Sequence, residues 1–129
     1  MIYLSLSALK YAANICEELP KYKIGIALQD ISDSKSIIDI LKVNIKDAGV
    51  KISISKYNPR IEFSNGSSIK FISASDNSRG SALNLLIVEY GIDREIINCV
   101  LRPCEKVDYY KIHNIDVELY NKGVTDGTS

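Results

Sequence analysis

One unit in this sequence has the form that chemistry at a sheet edge requires: the apolar run Leu83 to Val88 (LNLLIV), which ends on Glu89. In a parallel sheet, an acid at that place emerges at the carboxyl edge, where ligands of open α/β folds bind. A rigid apolar strand beneath a carboxylate is what positions it to hold a cation or polarise a water. Arg79 lies in the small and polar run Ser73 to Ala82 (SASDNSRGSA), which reads as an exposed loop. The bland alternatives are a solubilising strand end and a solvated loop residue.

Other candidates read more simply. His113 is the one histidine, and Cys16, Cys99 and Cys104 have no CxxC spacing, so a zinc site is not expected. The pairs Asp30/Asp33 and Asp93/Glu95 stand at expected helix starts, where negative charge complements the helix dipole. Tyr109 and Tyr110 beside Lys106 and Lys111 could stack on single-stranded nucleic acid, although strand packing explains them as well. Eight tyrosines against two phenylalanines and no tryptophan are compatible with a contact surface.

The elements that must position these groups follow from periodicity. Ile2, Leu6, Leu9, Ala13 and Cys16 recur at helical steps, predicting a helix to about Glu18, before Pro20. Lys23 to Gln29 (KIGIALQ) reads as a strand buried on both faces. Ser32, Asp33 and Ser34 can cap a second helix carrying Ile37, Ile38, Leu41, Ile45 and Ala48, with Gly49 marking its end. The period then becomes two through Val50, Ile52 and Ile54, through Ile61 and Phe63, and through Ile69 and Phe71. Asn65-Gly66 between the last two runs predicts a hairpin, both residues tolerating positive φ. Asp93 is placed to cap a third helix with Ile96, Ile97, Val100 and Leu101 on its buried side, stopped by Pro103. Val107 to Leu119 has room for one or two strands, and Asn121 to Ser129 reads as a tail.

At 129 residues the chain fits one domain, taken as residues 1–120. With 46% hydrophobic and 25% charged residues it has the makings of a folded core. Sixteen basic residues balance sixteen acidic ones, which removes the usual footprint of a protein that coats nucleic acid, although a local patch would not show in the sum. No apolar run approaches the roughly 20 residues of a membrane span. The odd cysteine count and the lack of a signal-peptide core point to a cytoplasmic protein with reduced thiols. The expected fold class is α/β: a mostly parallel sheet with helices on its faces and an antiparallel β-hairpin insertion.

Residues 61–103, IEFSNGSSIKFISASDNSRGSALNLLIVEYGIDREIINCVLRP, resemble the ATPase domain of phage terminase large subunits. There a hairpin leads through an Arg-Gly loop to an apolar strand, the acids that hold magnesium, an aromatic residue, and a helix closing near a proline. Upstream, Lys23 to Gln29 and Ser34 to Ala48 resemble the family's next strand and helix, and Ile2 to Glu18 its helix that starts inside the phosphate-binding loop. About residues 1 to 105 are covered, and the resemblance implies that the sheet is a partial P-loop-type one. The resemblance implies that Glu89 stands at the acidic pair, with weak magnesium binding, that Arg79 is offered to a neighbouring subunit's nucleotide, and that Tyr90 is the following aromatic. It implies ATP and magnesium as the family's cofactors, and terminase, portal or further copies of the chain as partners.

The departures carry equal weight. No Gly-rich turn with Lys and Ser or Thr is present, and Met1 falls where that loop would just have ended. The acidic pair has shrunk to Glu89 between Val88 and Tyr90, and one carboxylate binds magnesium poorly. A coupling Ser/Thr-Thr strand and the family's nuclease domain find no counterpart. The expectation is a terminase-like piece, truncated and without the phosphate loop, that associates with viral DNA packaging, meets DNA only indirectly and hydrolyses no ATP alone. The alternative is a free-standing phage protein that uses the scaffold to bind and inhibit a host or defence protein. A small enzyme of unrelated α/β fold is weaker, because no nucleophile and base are paired.

Overall fold

The computed structural model describes residues 1–74 and 82–104. Arg79, His113, Tyr109, Tyr110, the expected strands in 107–119 and the tail at 121–129 lie outside the described residues. The chain runs through β1 (Ile2–Tyr3), α1 (Leu6–Glu18), β2 (Lys23–Leu28), a 3-10 turn (Ile31–Asp33) and α2 (Ser34–Asn44). It continues through β3 (Lys51–Ser53), β4 (Arg60–Glu62), β5 (Ser68–Ser73) and β6 (Leu85–Val88). It then enters α3 (Arg94–Ile96), which widens into a π-helical turn (Ile97–Leu101) and tightens into a 3-10 turn (Arg102–Cys104).

One six-stranded sheet has the order β1-β6-β2-β5-β4-β3. The first four strands of that order are parallel, and β5, β4 and β3 pair antiparallel. The fold is therefore α/β with a mixed, mostly parallel sheet, as the alternation of apolar runs and amphipathic helices predicts. β2 lies at its centre with Ile24 to Leu28 all buried, which is why KIGIAL is continuously apolar rather than alternating.

Register divides the side chains between two faces. Ile24, Ile26, Ile69, Phe71, Leu85 and Ile87 meet α1 and α2 through Leu9, Ala12, Cys16, Ile38 and Leu41. Ala27, Leu86 and Val88 face the other way, against Leu83, Ile92, Ile97 and Leu101. Each such Leu or Ile contributes about 1.5–3 kcal/mol on burial. Among the described residues, the second layer covers only the β6 and β2 end of its face.

Three expectations are corrected. Ile2 belongs to a strand, not to the first helical stripe: it pairs with Ile87, and the helix begins at Leu6 after the Ser5 cap. The second helix stops at Asn44, short of Ala48 and Gly49. Glu17 on α1 is the physical reason, because its Oε2 accepts both the Lys46 and Asp47 amides at 2.7 Å and holds them out of helical geometry. Pro103 lies inside the closing 3-10 turn rather than ahead of it. At the next connection the hairpin is present, but only Gly66 uses positive φ, at 90°. Phe63 and Ser67 close a three-residue loop, Phe63 N–H donating to Ser67 O at 2.8 Å and Gly66 N–H to Phe63 O at 3.1 Å.

Asp47 ties the end of α2 to this hairpin. Its Oδ2 accepts the Ser64 amide at 2.7 Å, and its Oδ1 accepts the Ser64 hydroxyl and the Gly49 amide, both at 2.9 Å. The Ser64 amide above all, then that of Gly49, holds its carboxyl below the usual carboxylate range. A depressed folded-state pKa gives stability that is present above the unfolded value, about 3.9, and lost as pH falls through the folded one. The Tm difference between wild type and Asp47→Asn should therefore be largest at pH 6 and shrink toward pH 3, as read by thermal melts across that range.

Candidate functional site

The parallel strands bring Glu89, Gln29 and the start of α1 to one edge. Glu89 follows β6 directly, and its amide extends the ladder by donating to Ala27 O at 3.0 Å. Its side chain turns sideways rather than outward: Oε1 accepts the Gln29 amide at 2.8 Å. Gln29 answers through Nε2, which donates to Tyr90 O at 2.9 Å. Two neighbouring strand ends are thus cross-tied by one carboxylate and one carboxamide. Gly91 completes the turn at φ 90°, and a Cβ there would lie 2.6 Å from Gln29 Nε2.

The same edge carries an exposed aromatic pair. Tyr3, at the end of β1, stacks on Tyr90 with centroids 4.4 Å apart and planes 11° from parallel. Leu6 in the first turn of α1 is 71% exposed and Tyr90 70%. Between β1 and α1 the chain has only Leu4 and Ser5. The Leu4 amide donates to Val88 O at 2.8 Å, and Ser5 Oγ accepts the Ala8 amide at 3.0 Å.

These groups do not fit a magnesium nucleotide. The strand-to-helix joint holds neither glycine nor lysine, and its one hydroxyl already caps the helix. Glu89 has Val88 buried on one side and Tyr90 on the other, and its carboxylate closes a strand end. Among the described residues, no group of three His, Cys, Asp or Glu side chains is placed to hold a metal ion. Glu89→Ala should therefore cost about 1–1.5 kcal/mol in urea unfolding, and Glu89→Gln, which keeps an acceptor oxygen, less than half of that.

The other sequence candidates sort by local structure. Asp93 caps α3 through the Glu95 amide at 2.8 Å. Asp30 caps the 3-10 turn through Ser32, whose hydroxyl and amide lower its pKa. Asp33 precedes α2 but makes no side-chain cap bond, which corrects its expected capping role. Cys16 is buried on the sheet-facing side of α1, and burial pushes its thiol far up from its ordinary value, so it is no thiolate nucleophile.

The polar residue that sequence reasoning undervalued is Asn65, read only as a turn. Its Nδ2 donates to Cys16 O at 2.8 Å and Leu19 O at 3.3 Å, at the end of α1, while Oδ1 accepts the Ser67 amide at 2.9 Å. Ser67, 1% exposed, donates through Oγ to Leu19 O at 2.5 Å and accepts the Tyr22 amide at 3.0 Å. The Asn-Gly-Ser string signals a turn, and nothing in it signals a helix-capping bolt.

The class defined is an α/β protein with a mixed, mostly parallel sheet and helices packed on it. No protein-family model, no curated protein and no solved structure matches the chain. Among the described residues, no helix is long and apolar enough to cross a membrane.

Proposed function

We propose that this chain is a terminase-large-subunit-like module that associates with viral DNA packaging and does not hydrolyse ATP alone. The observation that carries the reading is the end of β6: an apolar strand delivers its acid to the carboxyl edge, and there the acid ties Gln29 rather than standing clear. The order of elements supports the resemblance. α1, β2 and α2, then the β4–β5 hairpin, β6 and its acid, and Asp93-capped α3 come in the order in which the resemblance sets them, with the short strand β1 ahead of α1.

In this reading the scaffold is kept for binding. Partners are a terminase or portal protein or further copies of the chain; DNA is met through them, and ATP and magnesium are cofactors of the family it resembles, not of the isolated chain. Arg79 would serve a neighbouring subunit's nucleotide. The chain works in the host cytoplasm, where Cys16 and Cys99 stay reduced.

The exposed Tyr3, Tyr90 and Leu6 favour a second reading, a phage protein that binds and inhibits a host or defence protein, since Tyr is enriched at interface cores. Affinity capture of the tagged full chain from infected cells separates the two. Recovery of portal or terminase supports the first, recovery of a host protein alone supports the second, and recovery of neither counts against both.

A further inference from the structure

Among the described residues, the sheet face turned away from α1 and α2 is covered by α3 only toward β6, and at its other end it carries a concentrated charge. Register aligns Lys51, Glu62, Ser68 and Lys23 in one row across β3, β4, β5 and β2. Ser53, Arg60, Lys70 and Gly25 form the next row. Each of these four strands thus contributes one cation, over roughly 14 Å at about 4.8 Å per strand spacing. The two rows hold a single acid. Arg60 Nε bonds Glu62 Oε1 at 2.6 Å, and Arg60 first, then Lys51 and Lys70, keeps the Glu62 carboxyl below the usual range. Lys23, Lys51 and Lys70 are exposed and have no ion-pair partner among the described residues. A cleft of about 350 Å³ opens on this face beside Asn58, Arg60, Glu62, Ser68 and Lys70.

We propose that this cationic face of β2, β5, β4 and β3 docks a short acidic segment of a partner protein. Charge complementarity requires an anionic occupant, and the size of the patch selects among anions. Beyond these rows the chain carries enough acids to bring its total to zero, so a long polyanion extending past the patch gains no net positive charge from the rest of the chain. Neither row bears an aromatic side chain on which bases could stack. Beside the rows, the β3–β4 connection exposes Ile54 at 60% and Tyr57 at 90%, an apolar and aromatic rim of the kind protein partners use. The proposal stands apart from the packaging reading, since it rests on the opposite end of the sheet from Glu89 and names no motor component.

The test is fluorescence anisotropy of the full-length chain with two labelled probes, a deca-glutamate peptide and a 16-base-pair DNA duplex, at 50 and 500 mM salt. The peptide is expected to bind at 50 mM salt and to lose about tenfold or more in affinity at 500 mM. Lys51→Glu with Lys70→Glu should cost at least about tenfold while leaving the thermal melt within a few degrees. Lys51→Ala with Lys70→Ala, which introduces no repulsion, should give a smaller loss in the same direction. No peptide binding at 50 mM salt overturns the proposal, as does binding that neither double variant weakens. A duplex bound more tightly than the peptide assigns the face to nucleic acid instead. Salt-sensitive self-association abolished by the charge reversals, seen in sedimentation, assigns it to a second copy.

Discussion

Asn65→Ala is expected to lower stability by about 2–3 kcal/mol, a Tm drop of about 10 °C, although the residue sits in a surface hairpin loop. The substitution strips Cys16 O of its 2.8 Å donor and leaves the Ser67 amide without its acceptor. Leu19 O keeps the Ser67 hydroxyl, so the loss is shared. For that reason Asn65→Ala and Ser67→Ala should not add, because both act on the same carbonyl and on each other. Asn65→Asp distinguishes this bolt from a simple turn preference. Aspartate suits the turn and can still accept from Ser67, but at neutral pH it sets a carboxylate against two carbonyl oxygens. It should be no more stable than the alanine variant. Urea unfolding of the three single variants and the double variant reads all of these outcomes.

The second large effect is expected from Gly25→Val in the central strand. A Cβ at Gly25 would lie 2.5 Å from Leu83 Cδ1 and 3.1 Å from Cδ2, and Leu83 is itself 3% exposed. Leu83 cannot swing into solvent without abandoning the layer formed with Leu86, Ile97 and Leu101. Overpacking of this kind costs about 1–3 kcal/mol, and the displaced Leu83 leads directly into β6. Leu83→Ala alone should cost about 2–5 kcal/mol through the cavity it leaves. The double variant should be more stable than the sum of the two predicts, since the valine methyls enter the space that Leu83 vacates. Additive losses would show that the strain at Gly25 lies in the backbone rather than in this contact.

The sequence made the sheet's centre legible for a physical reason. β2 and β6 are buried on both faces, so their apolar runs carry no competing helical period, and the Asn-Gly hairpin has a local signal of its own. Ile2 was misplaced because a two-residue strand followed closely by a helix leaves its apolar residue in phase with Leu6 and Leu9. Gly49 looked like a helix end because glycine favours that place. The chain leaves the helix five residues earlier, pulled by Glu17 from a different element. Asn65, Asp47 and Gln29 share this difficulty: beside any local bonds, each has partners 17 to 61 residues distant in sequence, and no local pattern encodes such pairs. Glu89 was legible as a position but not as a role. Periodicity places an acid at the carboxyl edge, and only geometry shows its oxygen facing the Gln29 amide. The cationic face stayed hidden because its four cations come from four strands and the charge sum is zero.

The Tyr3 and Tyr90 stack joins the two halves of this picture. It seals the end of β1 against the turn that Glu89 and Gln29 hold, and it leaves aromatic surface exposed at that edge. One oxygen of the Glu89 carboxylate is engaged there by the Gln29 amide.

Calorimetric titration of ATP with magnesium into the isolated full chain tests the central claim most directly. The expected result is no binding heat, with Glu89→Gln giving the same flat trace. A one-to-one isotherm with micromolar affinity that Glu89→Gln abolishes would contradict it, because Glu89 would then be serving a nucleotide rather than a strand end.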